Sequence, residues 1–555
     1  LDRALEALER FPEPTVGFLP TLAPLVKLPA PYERLSQACD ALPDRYQGPD
    51  KDCRPWLADW FEQPQSEWLA GLDQASSFLL ENLMTKVSLL CHAYRWQRMP
   101  TPPENYSIQS IELPAGLAIL WTELARRLGV PRVGNFYTMV ANNWKIQGVA
   151  AGSRYWVEQI QDSTVDLVHS WLLPPLHEEL RTFVVTALSI EARGAKILAH
   201  IQGVYECIKE ADEQEATYHL TFLAATLLGI TSDFNRAIKK ARIRPHHFLT
   251  YVQPTMIWLL DHGDGPLEGA SGPQACTIQL LDSFLGIPRD SDLGALILKA
   301  RAYMMPRHRN LLEALDSTGS VLREFVSRSG APRLLEAYNR CVSTMAAWRV
   351  SHQKRGAMYI EGDIDRPVEP YVSTGLVVQA EQGRTEVFET MMESHIEATQ
   401  SRTLVSTWSG RERSLEYLFR FLSPEQRETL EKKSETMTFA AGDTIIAQGE
   451  LFPGLFVLKN GSANVVKKTA GQEAVVDAIG PNEVFGEMSL VENLPASASI
   501  VASTALQVQQ VRLETVYDLI DGAREAEADF YLALAQLLSH RLRHRPAALS
   551  RHDHK

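Results

Sequence analysis

Cysteine is scarce in this chain, with six in 555 residues. They stand singly, at Cys39, Cys53, Cys91, Cys207, Cys276 and Cys341, and no two share C-x-x-C spacing. That excludes a disulfide scaffold and a thiolate zinc site, and predicts buried thiols in a reducing, cytoplasmic setting. Excess positive charge is also absent: Lys and Arg total 55 against 68 Asp and Glu, a net charge of -13. Nucleic acid is therefore not an expected partner. No apolar run approaches the roughly 20 residues that span a bilayer, so no membrane partner is expected either. The opening LDRALEALERFPEP mixes acids and bases, unlike a signal peptide.

The common catalytic signatures are missing too. No Walker loop and no G-x-S-x-G occur. His177 begins HEELR, which carries Arg181 where a zinc H-E-x-x-H needs its second histidine. Gly263, Gly265 and Gly269 follow no strand pattern and lack dinucleotide spacing. A helical region without its own acid–base constellation fits a protein whose chemistry comes from a cofactor.

What is present falls into two patterns. Up to about residue 400 apolar residues recur three and four apart, as in Phe183–Gly203 and Leu334–Lys354. Ser76–Tyr94, Ala115–Leu128, Ala216–Leu228 and Thr277–Leu285 repeat that pattern. Pro174-Pro175 and the stretch His262–Pro273 punctuate it. This predicts a large all-α domain. After about residue 437 short alternating runs appear at Thr444–Ala447, Leu455–Leu458, Ala463–Lys467, Ala474–Ala478 and Ser499–Val511. Gly442-Asp443, Lys459-Asn460-Gly461 and Gly480-Pro481-Asn482 separate them, which predicts a small antiparallel β-roll. Helical patterns return at Leu513–Ile520 and Glu527–Arg543. The chain is thus expected to be multidomain, an all-α domain followed by a β-roll with flanking helices. The tail past residue 544 is rich in His and Arg and reads as a solvated end.

Among 15 histidines, His352 is distinguished by context, at the end of the helical run through Ala347-Trp348-Arg349. A lone helical histidine is commonly a satisfied core residue. The other reading is an axial haem ligand, with Arg349 one turn back to meet a propionate. Residues elsewhere bear on that choice. Gly269-Ala-Ser-Gly-Pro-Gln-Ala275 with Ile278–Ile287, then Ala302–Asn310, Val321–Phe325 and the His352 helix together resemble the indoleamine 2,3-dioxygenase family. Ala141-Asn-Asn-Trp144 and Ile190–Ala195 match it upstream, in order. The resemblance spans roughly residues 20–400.

It implies an all-α fold with a small helical part, 1–130, and a large haem-binding part, 131–400. It implies haem b and insertion of both atoms of O2 across the C2–C3 bond of an indole, tryptophan being the family's substrate. By resemblance, His352 is the iron ligand, Arg349 the basic residue near a propionate, and Asp282 its acidic partner. Ser271 and Gly272 fall on a loop covering the pocket, Phe183 and Phe248 on aromatics that pack on the indole, and Phe136 and Met139 on the pocket floor. Two positions depart. Ala187 stands where the family has a serine. Gln253 stands where an arginine grips the substrate carboxylate, so weak or absent turnover of L-tryptophan, or a substrate lacking the carboxylate such as another indole, is expected. The lid loop is reduced to Val372-Ser373-Thr374-Gly375-Leu376. The alternative reading is a haem-based gas or redox sensor, or a regulatory binding protein that has lost tryptophan turnover.

After a polar linker at 401–414, residues 415–544 resemble a cyclic-nucleotide-binding domain. Ala441–Ile446, Gln448-Gly449-Glu450, Val484-Phe-Gly486-Glu487 and Pro495–Ile500 carry the likeness. It implies a phosphate held by backbone N–H groups, with Glu487 on a ribose hydroxyl. The arginine position is Ala496, and Ser497 brings no charge. A cyclic nucleotide, another ligand, or a homodimer through this domain are the partners that follow.

Overall fold

The computed structural model describes residues 1–360 apart from 12–14, 64–65, 109, 261–266, 317 and 330. It further describes 384–404, 424–450, 454–469, 472–487 and 495–512, with scattered positions between and beyond. The chain divides into two compact units, Leu1–Leu404 and Val405–Lys555. Most of the linker, the helical patterns after residue 512, the basic tail, and Thr374-Gly375 of the lid loop lie outside the described residues.

The first unit is helical. Its helices begin and end where local chemistry directs. Ser76 accepts from Leu79 N–H to cap Ser77–Trp96, and Asp212 accepts from Glu215 N–H to cap Glu213–Ala237. Gly129 and Gly286 take left-handed conformations that stop Ala115–Leu128 and Cys276–Leu285. The longest helix, Leu176–Glu210, has 35 residues, well beyond its recognisable Phe183–Gly203 core. The next longest, Pro332–Ile360, runs on past His352, which therefore lies within the helix rather than at its end. One short antiparallel pair, Trp144–Ile146 with Val165–Leu167, interrupts the helices. Strands of three residues are too short to show alternation in sequence.

Two apolar clusters build the core. One centres on Ser77–Trp96, Ala115–Leu128 and the first half of Leu176–Glu210. The other joins the second half of that helix to Glu213–Ala237, Cys276–Leu285 and Pro332–Ile360. All six cysteines are free and buried, as their spacing predicts. Among the described residues no helix is long and apolar enough to cross a membrane.

The second unit contains two four-stranded antiparallel sheets. One runs in the order Val484–Phe485, Gly454–Asn460, Leu506–Arg512, Glu435–Phe439. The other runs Thr444–Ile446, Ser499–Ala502, Ala463–Thr469, Gln472–Ile479. Strands Glu435–Phe439 and Val484–Phe485 were not legible in the sequence pattern. Phe456, Leu458, Phe485, Ile500 and Val508 fill one core cluster.

Candidate functional site

The helical unit encloses a cavity of about 330 Å³. Phe136, Phe183, Ala187, Phe248, Gln253, Ser271, Gly272, Asp282, Arg349 and His352 all line it, although they span more than 200 positions of sequence. Met139 does not. It is 1% exposed and packs beside Gly134 in the core, because the turn that carries Phe136 into the cavity points Met139 away from it. A larger surface groove of about 610 Å³ lies by Ala115–Leu128, lined by apolar residues and the Arg127–Asp73 and Arg127–Glu123 pairs. It carries no imidazole or thiol.

One wall is aromatic. The rings of Phe183 and Phe248 lie 5.0 Å apart at 56°, and Phe248 meets Tyr359 edge-on at 5.4 Å. Such tilted contacts give a flat ring a ready partner. Phe248 begins a π-helical turn, Phe248–Val252, and Phe136 immediately precedes another, Tyr137–Ala141. A π-turn inserts one residue and re-aims the side chains around it, a device common at functional sites. Both turns are anchored from behind. Glu179 accepts from Arg244 and His247, just before Phe248. Tyr137 donates to Glu81 at 2.5 Å, and Arg307 donates to both.

The opposite chemistry gathers on the Pro332–Ile360 helix. Burial, with the charge of Arg349 adding to it, lowers the His352 imidazole to about 4, so it is neutral at physiological pH. It retains accessible surface, and it lines the cavity. Trp348 stacks near it at 6.0 Å, and Phe234 and Phe388 approach at 5.9 and 6.3 Å. Neither ring nitrogen hydrogen-bonds to another described residue. Arg349 is 4% exposed and donates to Asp282 at 2.5 Å, to Thr399, and to the His395 ring at 3.0 Å. Burial opposes ionisation of Asp282, but Arg349 and His395 outweigh it and hold the carboxyl below its usual range. His395 and Gln274 are site residues that sequence reasoning missed. Gln274 accepts from Phe136 N–H at 2.8 Å and donates to Gly269 C=O at 2.6 Å, clamping the Ser271 loop to the Phe136 turn.

Ser271 Oγ is buried with no hydrogen-bond partner, and a Cβ on Gly272 would meet open space. Behind this loop Glu191, 1% exposed, accepts from Thr277 N–H at 3.1 Å at the start of Cys276–Leu285. Burial raises its carboxyl to about 7 despite the Thr277 and Cys276 donors. The folded chain thus keeps this proton to about pH 7, while the unfolded chain releases it near 4.5. Its contribution is most favourable below the unfolded value and is lost as pH rises through 7. Glu191→Gln is expected to stabilise the chain by up to roughly 3 kcal/mol above pH 7 and to change little at about pH 4. Urea unfolding across that range measures this; parallel pH profiles for variant and wild type would refute it.

In the β-roll, Gly486 adopts φ +88, and a Cβ there would approach Gly454 C=O to 2.9 Å, so only glycine fits. Glu487 is 1% exposed. Ala496 exchanges backbone hydrogen bonds with Gly449 and Glu450, both at 2.9 Å. Ser499 Oγ accepts from Gln448 N–H at 2.9 Å, and Ser497 is exposed. Glu487, Ala496 and Ser497 are thus placed, and the intervening cassette residues 488–494 lie outside those described.

The chain thus combines a helical unit built around a histidine-lined, aromatic-walled cavity with an antiparallel β-roll. The sequence model of indoleamine 2,3-dioxygenase matches residues 9–369, and the chain belongs to that family. The cyclic nucleotide-binding domain model matches residues 436–522. Indoleamine 2,3-dioxygenase 1 of Rattus norvegicus is 28% identical over 277 residues, covering 47% of this chain and 63% of the relative. The chain thus spans less than two thirds of that mammalian relative. A 6-hydroxytryptophan 2,3-dioxygenase of Fusarium equiseti is 24% identical over 371 residues, 62% of this chain and 83% of the relative. A cAMP-dependent protein kinase regulatory subunit of Mycosarcoma maydis is 31% identical over 99 residues, 18% of this chain and 19% of the relative.

The residues present fit haem b. A neutral imidazole can ligate iron. Apolar and aromatic walls suit a flat macrocycle, and Arg349 and Arg355 on the His352 helix suit its carboxylates. Among the described residues no three His, Cys, Asp or Glu side chains form a separate metal cluster.

Proposed function

We propose that the helical unit is a haem-dependent dioxygenase that adds O2 across the C2–C3 bond of an indole, with limited use of L-tryptophan. The observation that carries this reading is the neutral His352 imidazole on the wall of the same cavity that holds the Phe183–Phe248 pair. His352 would hold the haem, with Arg349 nearby and fixed by Asp282 and His395. Haem iron supplies activation of O2. The chain's own residues do the rest. Phe183 and Phe248 present ring faces to a planar substrate. The apolar walls exclude water. The Ser271–Gln274 turn, tied to Phe136 by Gln274, bounds the cavity, and the Ser271 hydroxyl offers a donor to an occupant.

Gln253 is 6% exposed and neutral. A carboxylate brought beside it gains no charge-assisted pair, which supports an indole lacking that group as the better substrate. The experiment is single turnover. The haem-loaded full chain is mixed anaerobically with a panel of indoles, then given isotopically labelled O2. Product carrying both labelled atoms supports the reading, and no product from any indole removes it. That second outcome would favour a haem-based gas or redox sensor, a reading that the neutral Gln253 and the fused module also support.

The β-roll is proposed as a regulatory module with weakened cyclic nucleotide binding, since Ala496 brings no charge to a phosphate. Ala496→Arg is expected to tighten binding of cyclic AMP or cyclic GMP roughly 10- to 100-fold. Calorimetry on the full chain checks this, and micromolar binding by the unmodified chain would count against it.

A further inference from the structure

Arg355 lies three residues beyond His352 on the Pro332–Ile360 helix, as Arg349 lies three residues before it. Residues three apart share a helix face and stand about 4.5 Å apart along the axis. All three line the cavity. The two arginines differ in what satisfies them. Arg349 has the carboxylate of Asp282. Arg355 donates only to the Asn235 side-chain oxygen at 3.2 Å and the Asn235 carbonyl at 3.4 Å, both neutral and both at the long end of hydrogen bonding. Among the described residues Arg355 has no carboxylate partner. A cavity-lining guanidinium left without a counter-charge is a receptor for one.

We propose that Arg355 binds a carboxylate of the tetrapyrrole, making a second anchor on the far side of His352 from Arg349. This rests on the haem reading of the helical unit. The placement favours the macrocycle over the substrate, because Arg355 shares a helix face with the iron-ligand candidate. The neutral Gln253, by contrast, sits on a separate element beside the Phe248 turn. Arg349 and Arg355 stand about 9 Å apart along the axis, so a macrocycle whose acidic edge lay along this helix would bring its two neighbouring carboxylates within reach of both. Asn235 already directs the guanidinium and also accepts from Ser351 at 2.7 Å, which orients the arginine without neutralising it.

The test compares metal-free protoporphyrin IX with its dimethyl ester, titrated into the full chain. Without iron, His352 makes no bond to metal, so the contrast reads the carboxylates alone. The wild type is expected to bind the free acid more tightly than the ester. Arg355→Gln should weaken the free acid about tenfold, the partial exposure of the site limiting the effect, and leave the ester unchanged. Arg355→Lys keeps the charge and should retain most of the preference, which guards against a mere folding defect. Equal effects on acid and ester, an unchanged free-acid affinity, or a loss confined to carboxylated indoles would each overturn the proposal. So would failure of the wild type to bind either porphyrin. A haem absorption band in Arg355→Gln that is absent from His352→Ala keeps the iron reading separate: that reading can fail while the acid–ester contrast stands, and the reverse.

Discussion

His352→Ala, reconstituted with haem, is expected to lose the Soret band of the wild type. His352 presents a neutral imidazole on the cavity wall with neither ring nitrogen hydrogen-bonded to a described residue, whereas both nitrogens of His395 meet Ser291 and Arg349, so removing His352 would delete the iron bond itself. Loss of a residue that merely supports a metal ligand costs roughly 10- to 100-fold in affinity, and loss of the ligand should exceed that. The pH dependence has a definite sign. Burial first, and Arg349 second, hold the imidazole at about 4, so the ligating form persists through mildly acidic pH. The band of the wild type should therefore survive from neutrality through mildly acidic pH, where even the unligated imidazole is neutral. The same depressed value means that His352 withdraws stability from the folded chain as pH falls from 6.5 toward 4. The alanine variant should lack that part of the acid sensitivity. Titration of both proteins by absorbance and by unfolding checks the two effects. An undiminished Soret band in the variant would place the haem elsewhere.

The second large effect concerns substrate. Gln253→Arg is expected to raise kcat/KM for L-tryptophan by roughly 30- to 1000-fold. That corresponds to about 2–4 kcal/mol for restoring a charge-assisted, two-pronged pair with a buried carboxylate. The decarboxylated analogue should be unaffected or slowed, since it offers no anion to the new charge. The comparison separates a specificity change from a general gain in activity, because only the carboxylate distinguishes the two substrates. If both substrates improve together, Gln253 does not govern carboxylate recognition.

How much of the fold and site was legible in the sequence depends on the range of the contacts involved. Helices with sustained three-and-four spacing were readable, since periodicity is local. So were the β-roll strands bounded by glycine turns. Phe183, Phe248, Ser271, Asp282, Arg349 and His352 could be named because short motifs mark them, and the structure brings them to one cavity. The groups that hold those residues in place left no local signal. His395 meets Arg349 from 46 positions away, and Gln274 reaches Phe136 across 138. Glu191 becomes a perturbed carboxyl only because Cys276–Leu285 packs its first turn against it. Met139 was misplaced because a π-turn, invisible to a 3.6-residue pattern, rotates it out of the cavity. Arg355 resembles any surface arginine in sequence; only Asn235 and the cavity wall show what surrounds it.

Both anion sites share a physical theme. On the proposed reading, Gln253 and Ala496 stand where the two resemblances place an arginine, and neither side chain carries a charge. Shape alone admits a ring or a sugar; the missing charge lowers preference for a carboxylate or a phosphate. The most direct test is a ratio of kcat/KM values on the haem-loaded full chain, for L-tryptophan against its decarboxylated analogue under O2. A dioxygenase pocket with a neutral Gln253 should turn over the analogue at the higher efficiency. Efficient L-tryptophan turnover that exceeds the analogue's would contradict it.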